Sequence, residues 1–149
     1  MDNQKKEALT GKEQKSVLDA IYDLTKEYPG LNGLVVKFES FQEKGSSLAI
    51  FSEPGAHVNR RFITGAFEGI VPFSIVYRAS PNQDQHKINM INFLEKLADW
   101  LSESGDQSLT DDRRLTKIEA VTVASKDMAN GAGDNDYAIV LNATYRKEN

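Results

Sequence analysis

Two stretches of this chain carry large apolar residues at alternate positions, the pattern of a sheet strand. From Phe62 to Ala79 one parity carries Ile63, Phe67, Val71, Phe73, Ile75, Tyr77 and Ala79, while the other carries Thr64, Glu68, Ser74 and Arg78. From Tyr137 to Tyr145, the set Tyr137, Ile139, Leu141, Ala143 and Tyr145 alternates with Ala138, Val140, Asn142 and Thr144. A period of two sends successive side chains to opposite faces of an extended strand, so each stretch has a face to bury. Gly65, Gly69 and Pro72 fit a central ladder poorly and predict a bulge or bend before residue 73, with the straight part from Phe73 to Arg78.

Elsewhere the period is helical. Between Lys12 and Tyr28, the residues Val17, Leu18, Ile21, Leu24 and Tyr28 share one face, and Pro29-Gly30 ends the helix. From Asp84 to Ser102, Gln85, Asn89, Asn92, Lys96 and Asp99 form one narrow polar stripe that Glu103 continues. At about 100° per residue this leaves an apolar arc of roughly 240°. So wide an arc predicts a second contact besides the sheet, either the first helix or a neighbouring subunit.

Shorter strands complete the pattern. Leu34 to Phe41 and Leu48 to Phe51 read as a hairpin joined by the polar turn Gln42 to Ser47. Leu115 to Ser125 changes parity at Val121, which implies a bulge or burial on both sides, and it forms a long hairpin with Tyr137 to Tyr145 across the glycine-rich turn 126–136. Residues 52–61 have no period and read as a mobile connection, and 105–112 as a loop. Residues 1–11 read as a flexible tail and 12–149 as a single domain. The expected fold is α+β, with a mixed or mainly antiparallel sheet of about five strands backed by two helices in the order α-β-β-β-α-β-β.

Composition removes several functions. The absence of cysteine excludes disulfides, thiolate metal sites and a cysteine nucleophile. A formal charge of −4 supplies no basic field for phosphates, so no sequence-specific nucleic-acid binding is expected. No apolar run reaches the ~18 residues of a membrane span, and the start of the chain lacks the apolar core of a secretory signal. A cytosolic protein is expected.

Each candidate for chemistry has a plainer reading. Gly131-Ala132-Gly133 resembles a dinucleotide fingerprint but opens a strand, not a helix. Asp134-Asn135-Asp136 lacks the terminal glutamate of a calcium loop. Asp111-Asp112 beside Arg113-Arg114 reads as a solvated charge cluster, and His57 and His86 lack an acidic or serine partner at a defensible spacing. No catalytic residue, metal ligand or cofactor site is expected. Arg60 and Arg61 are the residues most able to grip an acidic partner surface. The loops 42–61 and 126–136 hold few apolar residues and are expected to become ordered against neighbouring proteins.

The order of elements in the second half carries a resemblance. Phe73-Ser74-Ile75-Val76-Tyr77-Arg78-Ala79-Ser80 is followed by Asn92-Phe93-Leu94-Glu95-Lys96-Leu97-Ala98-Asp99-Trp100-Leu101. A strand around Lys117-Ile118-Glu119 and the run Asp136-Tyr137-Ala138-Ile139-Val140-Leu141-Asn142-Ala143-Thr144-Tyr145 come next. This resembles the minor capsid proteins of tailed phages and prophages of Gram-positive bacteria, which are similar to tail-terminator proteins. The resemblance spans residues 12–146 and is strongest over 70–146, resting on order and texture and not on an invariant motif. It implies a small α+β domain that assembles with itself into a ring, a hexamer, which caps the tail tube and joins it to the head connector. It also implies a place in the virion, and in the host cytoplasm during assembly, with neither enzyme activity nor cofactor. The competing expectation is a host small-molecule-binding or regulatory α+β domain with a pocket between helices and sheet. An enzyme comes third, since no placed carboxylate pair supports one.

Overall fold

The structure is a computed structural model that describes residues 7–41, 46–78, 84–109, 112–126 and 136–148, with 84–88 and 126 described by their backbone alone. It is α+β. In chain order the elements are α1 (Gly11–Lys26), β1 (Val35–Phe38), β2 (Ser47–Ser52), β3 (His57–Arg61), β4 (Phe67–Arg78), α2 (Asp84–Glu103), β5 (Gln107–Ser108), β6 (Arg113–Ala120), β7 (Ser125–Lys126) and β8 (Asp136–Lys147). They form one mixed sheet in the order β1-β2-β4-β8-β6-β5, with β3 also on β4 and β7 also on β8. The expected five strands are therefore joined by β3 and by the two-residue strands β5 and β7.

The two alternating stretches are the centre of the sheet. β4 pairs antiparallel with β8 without a break from Phe67↔Lys147 to Arg78↔Asp136. Val71, Phe73, Ile75, Tyr137, Ile139, Leu141, Ala143 and Tyr145 all point to one side and are buried. Both helices cover that side. α1 packs on β1 and β4 through Val17, Leu18, Ile21 and Leu24, and α2 packs on β6, β8 and β4. The polar stripe of α2 is exposed at Asn89, Asn92, Lys96, Asp99 and Glu103, whereas Met90, Leu94, Leu97, Ala98 and Leu101 are buried. The rest of its wide arc meets tyrosines at the flank, with Tyr28 5.8 Å from Phe93 and 5.4 Å from Trp100, and Tyr77 5.1 Å from Phe93. The second contact is thus the exit of the first helix.

The bend expected before residue 73 is replaced by a change of partner. On its edge away from β8, β4 pairs with β3 up to Ile70 and with β2 from Phe73 onward. Pro72 stands at the gap, so its missing N–H deprives no ladder, and its carbonyl accepts from the Glu53 N–H at 3.2 Å. Gly65 has φ +95° and turns the chain between β3 and β4. The strand consequently starts at Phe67, and Ile63, which parity groups with the core, is fully exposed at the hairpin tip.

Gly69 answers to the neighbouring strand. It lies opposite Tyr145, and a Cβ there would come within 2.5 Å of the Tyr145 ring. Gly69→Ala is expected to cost about 1–3 kcal/mol in denaturant melts, as overpacking does. Gly11→Ala, with nothing within 4 Å of the added carbon, is the control expected to cost nothing. Equal losses would contradict the close approach.

Three expectations are corrected. β1 and β2 pair in parallel, with Val35 beside Ser47 and Phe38 beside Ile50, and not as a hairpin. Glu39, at φ 55°, follows the end of β1, and its N–H donates to the Ile50 carbonyl at 2.8 Å. The mobile connection contains β3, which the alternation rule misses because an edge strand with Asn59, Arg60 and Arg61 exposed has no face to bury. The expected tail 1–11 belongs to the fold from Glu7 onward. Leu9 is buried, its N–H donates to the Ala56 carbonyl, and the Val58 N–H donates to the Glu7 carbonyl at 2.7 Å.

The hairpin of β6 with β8 forms as expected, with a bulge between Leu115 and Lys117. At the parity change the N–H groups of Val121 and Thr122 both donate to the Val140 carbonyl, at 2.7 and 3.3 Å, which is the expected bulge, and Val121 and Val123 are exposed before β7 pairs with β8 again. The turn expected at 126–136 lies, for residues 127–135, outside the described residues, as do 42–45 of the earlier loop.

Candidate functional site

Arg60 and Arg61 end β3, next to the hairpin turn Phe62–Ala66, where the Phe62 N–H donates to the Ala66 carbonyl at 2.9 Å. The two arginines are used differently. Arg61 forks onto Glu7, with Nε 3.0 Å from Oε1, and its guanidinium lies 5.4 Å from the Phe67 ring. Hydrogen bonding to Arg61 holds the Glu7 carboxyl below its usual range, and Glu7 pushes Arg61 up. This pair is exposed and ties down the segment before α1, so Arg61 is not available to a partner without releasing Glu7. Arg60 lies 5.9 Å from the Phe62 ring, whose centroid is also 4.3 Å from the guanidinium of Arg146 on β8. Among the described residues no carboxylate pairs with Arg60. Beyond it stands Ile63, 107% exposed, so the tip presents an isoleucine beside cations.

A second cluster was not legible as such in the sequence. Thr10 caps α1 by accepting from the Glu13 N–H at 3.2 Å, which leaves the Glu13 carboxylate free to turn inward. It takes both Arg113 Nε and Nη2 at 2.7 Å, and the Tyr145 hydroxyl donates to the same carboxylate at 2.8 Å. The Arg113 and Glu13 side chains are only 6% and 13% exposed. The bond from Arg113, chiefly, holds the Glu13 carboxyl below its usual range, while burial pushes the Tyr145 phenol well above its own. The solvated charge cluster expected at 111–114 is therefore corrected at Arg113. It shares parity with buried Leu115, whereas Arg114 points outward to Asp106 at 2.7 Å. That shared parity was the available signal. The cluster joins α1 to β6 and β8, with its three side chains turned onto one another.

The helix-free side of the sheet holds a third group. Arg78 forks onto Asp136 with bonds of 2.8 and 2.7 Å, and its guanidinium lies 3.7 Å from the centre of the Phe41 ring. Phe41 in turn packs on Phe51 at 5.6 Å. On the same face Ala49, Ser74 and Val76 are buried, Ile70, Pro72, Ala138, Val140, Asn142 and Thr144 are half-buried, and among the described residues no helix lies over it.

The other candidates stay apart. His57 Nδ1 is 2.7 Å from the Gly55 carbonyl, and His86 falls where only the backbone is described. Asp111, the run 131–133, Asp134 and Asn135 lie outside the described residues. Asp136 is turned to Arg78. Among the described residues no three His, Asp or Glu side chains gather as metal ligands, and no helix is long and apolar enough to cross a membrane. Open depressions lie at the surface among the described residues. One of about 380 Å³ lies between α1 and β5, and another of the same volume lies between the segment Gly30–Leu34 and Phe93.

Comparison with models of known protein families finds no match for this chain, and comparison with curated proteins likewise finds none.

Proposed function

We propose that this chain is a structural virion protein, a tail terminator or minor capsid protein that forms a ring on the tail tube and joins it to the head connector. The observation that carries the reading is a two-layer domain whose second sheet face, with Ile70, Pro72, Ala138 and Val140, has no helix over it among the described residues. A domain built to assemble with copies and neighbours needs such surface in addition to its own core. The resemblance of residues 12–146 to phage minor capsid proteins supplies the biological setting, and the acidic balance suits a passage through which DNA slides without sticking. The reading includes no catalysis and no cofactor. Its partners are further copies of itself, six in the family's ring, together with the tail-tube and head-connector proteins. Its place is the virion, and the host cytoplasm during assembly.

Light scattering over a range of concentrations, paired with negative-stain images, tests the reading. Rings that grow in with concentration are expected. A monomer at every concentration that takes up a small molecule would overturn it in favour of the host binding domain.

A further inference from the structure

A ring built from copies of this chain needs two surfaces that meet at every junction, and the choice of those surfaces rests on the ring reading. Where β3 pairs with β4, the sheet runs β3-β4-β8-β6-β5, so β3 and β5 are opposite edges. A ring closes when each copy offers one surface and receives its neighbour through a different one. The two edges of this sheet differ in that way.

At the β3 edge the hairpin tip projects Ile63, fully exposed, next to Arg60, which has no carboxylate partner among the described residues. An isoleucine with no cover gains free energy when a partner surface buries it. At the β5 edge, the depression of about 380 Å³ is lined by Ala20, Leu24 and Leu109 together with the exposed carboxylates of Asp23 and Glu27. Neither carboxylate pairs with a cation among the described residues. One edge thus carries an apolar knob with an unpaired cation, and the other a mixed groove in which Ala20, Leu24 and Leu109 stand among polar residues, with two unpaired anions at Asp23 and Glu27. We propose that in the ring the β3–β4 hairpin tip of one copy docks into this groove on the next, with Ile63 against Leu24 and Leu109 and Arg60 against Asp23 and Glu27. The occupant is a second copy because the two halves of the match lie on one chain, at opposite edges, and cannot reach each other within it.

Charge reversal on either side tests the contact. Arg60→Glu sets like charges together at every junction, and so does Asp23→Arg combined with Glu27→Arg. Each variant alone is expected to raise the concentration at which rings appear by about tenfold or more. An equimolar mixture of the two should restore rings, since the reversed tip meets the reversed groove and the native tip meets the native groove. All three positions are exposed, so the variants should keep the wild-type thermal melt. Should one fail to fold, Ile63→Ser tests the same tip without altering charge and should also delay assembly. Variants that assemble like the wild type, or losses that mixing does not repair, overturn the contact while the ring reading stands. A wild type that stays monomeric overturns the ring reading, and the contact with it.

Discussion

Replacing Arg113 with methionine should lower the unfolding free energy by about 3–5 kcal/mol, because it strands the Glu13 carboxylate inside the fold. The two side chains are 6% and 13% exposed, so water cannot replace the lost fork. The Tyr145 hydroxyl remains, at 2.8 Å, but one neutral donor does not balance a buried negative charge. Adding Glu13→Gln to the same chain removes the charge and should return much of the loss. Acid should probe the same group. Arg113 first, and Tyr145 after it, hold the folded Glu13 carboxyl below the unfolded value of 4.5. Its contribution is therefore complete above that value and disappears as the pH falls through it toward the folded one. Wild-type melts should lose stability below about pH 4.5 from this source, and Glu13→Gln should show a shallower acid slope. An Arg113 variant as stable as the wild type would mean that the fork contributes nothing.

Leu94→Ala and Leu97→Ala should each cost about 2–5 kcal/mol, the range for leucines whose removal leaves a cavity. Both are completely buried under α2, on the side that rests on β4, β6 and β8. Asn92→Ala and Lys96→Ala, one turn away on the exposed stripe, should cost roughly 0.5 kcal/mol or less. Denaturant midpoints for the four variants decide the matter, and equal losses at all four would place the helix in another phase.

Burial on one face is what makes part of this fold readable. β4, β8, α1 and α2 each have a stripe or parity that must leave water, and the period of each places it within a few residues. The direction of β2 is not readable, because Leu48 and Ile50 alternate identically whether Val35–Phe38 lies beside them parallel or antiparallel. β3 escapes notice since Asn59, Arg60 and Arg61 are exposed and give no period at all. Parity alone puts Ile63 with the core, and only the left-handed Gly65 shows that the chain turns there. In the candidate site, the Arg60-Arg61 pair is visible as charge, but not that Arg61 is committed to Glu7. Such pairing depends on contacts between residues 54 positions apart, which no local pattern encodes.

The pairing of β4 with β8 also governs when the protein can exist as a folded molecule at all. Arg78 and Asp136 are 58 positions apart, and Tyr145 reaches back 132 positions to Glu13. On the ribosome, β4 and β6 therefore emerge with the strand between them still to come, and their apolar faces lie open until Asp136–Lys147 has been synthesised. Closing such long loops precedes the contacts that reward it, so folding is late and slow. A chain stalled before Asp136 exposes two unpaired sheet edges and is a substrate for chaperones or for aggregation. Synthesis of β8 therefore sets the earliest moment at which β4 and β6 can be joined into one sheet.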